Sequence, residues 1–207
     1  MSTIKEYRVN KNSEDLVSKF RSKYEEYYLF MKQVHDKFDS FSSDEMTMGA
    51  DYGLYFALTT ILIKDKPKHI IEYGPGFTTL LMHRVLEDQD YTPEIYCYED
   101  RPEWYDILKE HGFDPFNNIE LVECKCVKET EDRFYVYYDH DLDKHKDVDF
   151  ILIDGPGLFV YNGDVKDNIN TNLHVMEKRF NRRIMKSIDG RKKTQKFYDI
   201  PFEEREI

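Results

Sequence analysis

Cysteine is scarce in this chain. Cys97, Cys124 and Cys126 are the only three in 207 residues, an odd number without framework spacing. That excludes a disulfide scaffold and points to a reducing compartment, so the expected location is the cytoplasm. Long apolar runs are missing too. The longest stretch of that kind, Leu54 to Ile63, contains two threonines and falls well short of the roughly 18 residues of a spanning helix. No secretory signal is expected, because Met1 to Asn10 has no apolar segment. Positive charge is in short supply. Against 41 Asp and Glu stand 30 Lys and Arg, a net charge of -11. Whole-surface affinity for nucleic acid or anionic lipid is therefore not expected. There is one tryptophan, with 16 Tyr and 14 Phe, so the core is built on phenyl and phenol rings. No internal repeat or low-complexity segment is visible.

The remaining composition is that of a folded protein. Hydrophobic residues make up 40% of the chain and charged residues 34%, with a mean hydropathy of -0.73. A chain of this length forms one domain, with or without a small appendage, and buries about 70% of its unfolded surface. The sign of charge is uneven. From Glu177 to Ile207 there are ten basic and six acidic residues, leaving 20 basic and 35 acidic elsewhere. This basic tail reads first as a solvated helix face. The functional alternative is a local anion site that brings an acidic sugar, nucleotide or RNA to the protein.

Apolar residues recur at helical spacing from Ser13 to Phe38. Leu16, Phe20, Tyr24, Tyr27, Met31, Val34 and Phe38 form one stripe, about 33 Å long at 1.5 Å per residue. It predicts one long helix, laid across the domain or paired with a copy of itself in a homodimer. Residues 1–48 are read as this helical extension and 49–207 as the main domain. Phe41 to Gly49 reads as loop, and a second helix runs from about Asp51 to Lys64, ended before Pro67.

From His69 onward the period alternates between strand and helix. Strands are expected at His69–Tyr73, Glu94–Tyr98, Ile119–Val127, Asp149–Ile153 and Arg183–Ile188. Helices are expected at Phe77–Leu86, Pro102–His111, Asp164–Phe180 and Arg191–Tyr198. Asp199–Ile207 holds room for one more strand. Arg133–His140 alternates like an added strand or lid and Asp141–Asp147 like a polar turn, with His140 and His145 at the surface. This alternation predicts an α/β fold, a doubly wound and mostly parallel sheet with helices on both faces. Ligands in such sheets bind beyond the carboxyl ends of the strands.

The strand ends are chemically distinctive. After the first comes Glu72-Tyr73-Gly74-Pro75-Gly76-Phe77-Thr78-Thr79. Two glycines two apart let the backbone turn and approach a ligand, at the N-terminus of a helix. Glu72 would repel a phosphate and suits a ligand with an ammonium or hydroxyls. A dinucleotide fingerprint would place Gly where Thr79 stands, which argues against NAD. After the second strand, Glu99 can accept both hydroxyls of a ribose, or simply cap the next helix, a role that suits Asp100 better. After the fourth, Asp154 precedes Gly155 and Pro156. After the fifth comes Asp189-Gly190-Arg191. Asp154 and Asp189 are the candidate catalytic bases. Together they could share a divalent metal, but no third ligand is evident and no metal is predicted. The three thiols read as small buried hydrophobes.

Ile70-Ile71-Glu72-Tyr73-Gly74-Pro75-Gly76, then Tyr98-Glu99, then Val148 through Asp154-Gly155-Pro156 resemble, in order and spacing, the class I S-adenosylmethionine-dependent methyltransferases. Asp154-Gly155-Pro156 and Asp189-Gly190-Arg191 look most like a subgroup that includes glucuronoxylan O-methyltransferases. The resemblance covers roughly residues 50–198 and implies a Rossmann-like methyltransferase fold with a seven-stranded sheet. It implies that Glu72, Tyr73, Gly74, Pro75, Gly76 and Thr78 hold the methionine part of S-adenosylmethionine and that Glu99 holds its ribose. Asp154 would face the sulfonium and the acceptor, an oxygen of a small molecule or glycan. Two departures stand out. The third strand lacks the family's usual end near the adenine, and only 53 residues follow Asp154, a shortened C-terminus for the closing hairpin. An aminopropyltransferase, or a non-catalytic interaction module using the Tyr-rich helix, are the alternative readings.

Overall fold

The computed structural model describes residues 14–38, 51–157 and 159–207. Ser13 and the Phe41–Gly49 segment read as loop lie outside them. The expected long helix is two, α1 (Glu14–Lys23) and α2 (Glu25–Phe38). Backbone bonds from Tyr24 N–H to Phe20 O (2.9 Å) and from Tyr28 N–H to Tyr24 O (3.0 Å) carry it past the break. The stripe therefore stays continuous, with Phe20, Tyr24, Tyr27, Met31 and Val34 buried. It packs on α3 (Tyr52–Lys64) and α4 (Phe77–Glu87) of the same chain. Thr60 donates to the Tyr24 hydroxyl at 3.2 Å. Asp51 caps α3, its Oδ1 accepting from the N–H groups of Gly53 and Leu54. Helix α3 is apolar nearly all round because it lies between α1 and α2 on one side and the sheet on the other.

The central sheet is five-stranded and parallel, in the order β3-β2-β1-β6-β9. Its strands are β1 (His69–Tyr73), β2 (Glu94–Glu99), β3 (Ile119–Leu121), β6 (Phe150–Ile153) and β9 (Met185–Ile188). The chain starts in the middle, winds outward through β2 and β3, then returns to the other side of β1. The order reverses between β1 and β6, the place where such sheets bind ligands. Both β1 and β6 are buried throughout, as their unbroken apolar runs require. One face, with Ile70, Cys97, Phe150 and Leu152, packs on α1–α4 and α5 (Pro102–Glu110). The other, with Ile71, Tyr73, Tyr98, Ile151 and Ile153, packs on α6 (Asn172–Phe180) and α7 (Lys192–Asp199).

The seven-stranded sheet implied by the resemblance is not what forms. The segment Ile119–Val127, expected as one strand, divides at Val122. Its second part, β4 (Cys124–Glu129), leaves the parallel sheet and pairs antiparallel with β5 (Arg133–Tyr138). Asp164–Phe180, expected as one helix, is half strand. Phe159–Tyr161 is β7 and Asp164–Asn170 is β8, joined by Asn162-Gly163 with φ of 50° and 84°. That is the left-handed pair a two-residue hairpin turn demands. The Asn-Gly dipeptide outweighed the helical spacing around it. The four strands make a second sheet, β4-β5-β8-β7.

Asp199–Ile207 forms no strand. A short 3-10 turn, Phe202–Glu204, is followed by Arg205, whose Nη1 donates to Glu177 Oε2 at 2.9 Å. Both side chains of this pair are fully buried. The basic tail is largely engaged within the chain: Arg179 with Asp143, Arg183 with Glu177, and Lys193 with Asp132 and Asp167. Among the described residues no helix is long and apolar enough to cross a membrane.

Candidate active site

Register places three acids on one face of the sheet. Glu72 pairs across β1 with Cys97 of β2 and with Leu152 of β6. Glu99 and Asp154 lie two residues beyond those partners, so all three share the face covered by α3, α4 and α5. Gly74 sits between Glu99 and Asp154 with φ of 81°. A Cβ there would approach the Gly155 nitrogen to 2.6 Å, so only glycine fits.

Glu72 is fully buried beneath the turn. It accepts from Thr78 Oγ1 at 2.6 Å, Thr79 Oγ1 at 2.7 Å and Cys97 Sγ at 3.3 Å. Burial outweighs these bonds and pushes its carboxyl up to about 7. Thr79 in turn accepts from the Gly76 N–H at 2.9 Å. Glu72 and Thr78 therefore clamp the turn onto the first turn of α4. The Tyr73 ring packs on the opposite face, its hydroxyl 2.8 Å from His140 Nε2. The Pro75 carbonyl accepts from Trp104 Nε1 at 3.2 Å, which fixes the outer side of the turn to α5.

Glu99 braces the entry to α5. Its Oε1 accepts from the N–H groups of Asp100 (3.0 Å) and Arg101 (2.9 Å). Oε2 has no hydrogen-bond partner among the described residues. Burial pushes this carboxyl also up to about 7. Asp100, expected as the helix cap, instead accepts from the Tyr138 hydroxyl at 2.9 Å.

Asp154 and Asp189 do come together. Burial, with the neighbouring negative charge of Asp189, drives Asp154 well above the usual carboxylate range. The protonated form of Asp154 is thereby favoured. Arg191 donates to the main-chain carbonyls of Asp154 and Pro156, locking the two strand-end loops together. Tyr55 of α3 lies within the field of Asp154, with its hydroxyl 3.0 Å from His35 Nε2 of α2. His35 packs edge-on against Phe77 with centroids 4.3 Å apart. Among the described residues no cluster of three or more His, Cys, Asp or Glu is arranged for a metal.

Tyr138, Tyr55, His35 and Arg101 join this region without any sequence motif to mark them. They come from strands and helices distant in the chain, and only the alternation of Arg133–His140 hinted that Tyr138 would face inward. His140 and His145, expected at the surface, are drawn inside. His145 is fully buried between Tyr98 (2.7 Å) and His69 (3.0 Å), while half-buried His140 stacks on the Tyr98 ring at 4.0 Å. The thiols separate: Cys97 lies in the core under α4, and Cys124 and Cys126 belong to β4 of the second sheet.

No family model matches the chain, and no curated protein matches it. Among solved structures, it is similar to the SAH-bound Podospora anserina methyltransferase PaMTH1, with 16% identity and a TM-score of 0.32 over 72% of this chain and 53% of that one. The chain thus spans about half the length of that protein.

Proposed function

We propose that this protein is an S-adenosylmethionine-dependent methyltransferase acting on an oxygen of a small molecule or glycan. The observation that carries the reading is the unshared Oε2 of Glu99, at a strand end beside a glycine turn that no other residue could form. A ribose offers two hydroxyl donors to such a carboxylate. The N-terminal end of α4 and the acids around Gly74 complement a ligand bearing both a carboxylate and positive charge. S-adenosylmethionine supplies a methyl group on a positively charged sulfur. The rest of the work is alignment, which the clamped turn and the Arg191-locked loops provide. Asp154 and Asp189 stand together at neighbouring strand ends, where a carboxylate can receive the proton of an acceptor hydroxyl.

Calorimetry with S-adenosylmethionine and S-adenosylhomocysteine tests the reading. Wild type should bind both, and Glu99→Ala should weaken binding about tenfold or more, the loss of hydrogen bonds to a charged group. Because ribose donors favour the ionised carboxylate, binding near pH 7 should release protons in wild type and fewer in Glu99→Ala. No binding by the folded wild type would remove the enzyme reading and leave the interaction module.

A further inference from the structure

Arg101 stands out among the basic residues near the strand ends. It follows Glu99 by two residues, at the start of α5. Its side chain reaches from the end of β2 to the loop after β6: a Cβ on Gly157 would lie 3.5 Å from Arg101 Cζ and 3.6 and 3.7 Å from its two terminal nitrogens. Cζ is 5.7 Å from the centre of the Trp104 ring, within cation–π range. Nε is buried without a hydrogen-bond partner, and the guanidinium takes part in no ion pair among the described residues. Arg191, by contrast, is committed to main-chain carbonyls. Arg101 therefore holds a planar fork of donors between Glu99 and the loop three residues past Asp154, stiffened from below by an indole.

We propose that Arg101 is an anion subsite, and that the methyl acceptor carries an oxyanion, carboxylate or phosphate, beside the oxygen to be methylated. The acceptor assignment rests on the methyltransferase reading; the anion subsite does not. A guanidinium fork matches both oxyanions bidentately. In a crevice of four carboxylates, Glu99, Asp100, Asp154 and Asp189, an unpaired guanidinium selects an anionic group at one point and leaves the cationic cofactor to the others. The small residue at 157 keeps the exposed edge of the fork open. The basic tail, whose charges are largely engaged within the chain, is a weaker candidate for such a site.

Trp104 is the single tryptophan, so its fluorescence reports this spot. The 207-residue chain, free and saturated with S-adenosylhomocysteine, is titrated with acetate, malonate and inorganic phosphate at ionic strength held constant with chloride. A saturable change with a carboxylate or with phosphate supports the site, and the stronger of the two identifies the anion. Arg101→Gln should weaken it about tenfold or more while S-adenosylhomocysteine affinity stays within about threefold. Gly157→Val, which crowds the fork and keeps its charge, should weaken it as well. No saturable response in wild type, or an equal response in Arg101→Gln, overturns the proposal. Failure of S-adenosylhomocysteine to bind while the anion response persists would overturn the cofactor reading and leave the subsite standing.

Discussion

Gly74 and Gly155 meet backbone to backbone across the gap between β1 and β6. A Cβ on Gly74 would lie 2.6 Å from the Gly155 nitrogen, and one on Gly155 would lie 2.9 Å from the Gly74 Cα. Neither loop can take a side chain without parting from the other. Gly74→Ala combines a left-handed backbone, about 1–2 kcal/mol, with overpacking, about 1–3 kcal/mol. Gly112 has a similar φ of 74° with nothing within 4 Å of its Cβ position. Urea unfolding should therefore place Gly74→Ala well below Gly112→Ala, and equal losses would mean the contact is absent.

Glu72 should make stability depend on pH. Its carboxyl sits at about 7, against an unfolded value of 4.5, because it is buried. The folded protein binds its proton more tightly, so this contribution is complete below 4.5 and is lost as pH rises through 7. The loss is on the order of 3 kcal/mol. In Glu72→Gln the difference in unfolding free energy between pH 5 and pH 8 should shrink by about 2–3 kcal/mol relative to wild type. An unchanged difference would place Glu72 in contact with water.

His140 and His145 work in the opposite direction. Burial pushes them down to about 4 and about 3. Unfolded imidazoles take up protons near 6.5, so the folded form loses ground as pH falls below 6.5 toward those values. Between pH 4.5 and 6.5 this slope opposes that of Glu72. Imidazole resonances followed by NMR should show both rings neutral at pH 5. Titration of either near 6.5 would contradict the Tyr98–His145–His69 chain of hydrogen bonds.

Asp154→Asn should stabilise the protein at pH 8. Burial and Asp189 hold Asp154 well above its ordinary range, and each unit of that displacement costs about 1.4 kcal/mol. Removing it should raise the unfolding free energy at pH 8 more than at pH 4. A destabilised Asp154→Asn would mean the carboxyl is compensated by a partner rather than strained.

The Glu177–Arg205 pair should behave asymmetrically. Arg205→Met leaves the buried Glu177 Oε2 without its partner, while Oε1 keeps Arg183 Nε and the Ile184 N–H, and should cost about 3 kcal/mol; Glu177→Met with Arg205→Met, which frees only the half-exposed Arg183, should recover part of that loss. A double variant as unstable as the single one would show that packing, not charge, holds the C-terminus.

The parallel sheet was legible because its determinants are local. Unbroken apolar runs at β1 and β6, the glycines after β1 and the proline opening α5 each act within a few residues. The same holds for the acids at the strand ends, whose positions follow from strand parity once the order is known. The second sheet was not legible as a sheet, since the paired residues of β5 and β8 are 34 positions apart. What only tertiary structure decided is the state of each acid. Glu72 is turned into a clamp by Thr78 and Thr79, Asp154 is paired with Asp189, and Glu99 keeps one oxygen unshared. Sequence fixes which groups stand at a strand end; burial and the neighbours brought in from other elements fix their protonation and what they have left to bind with.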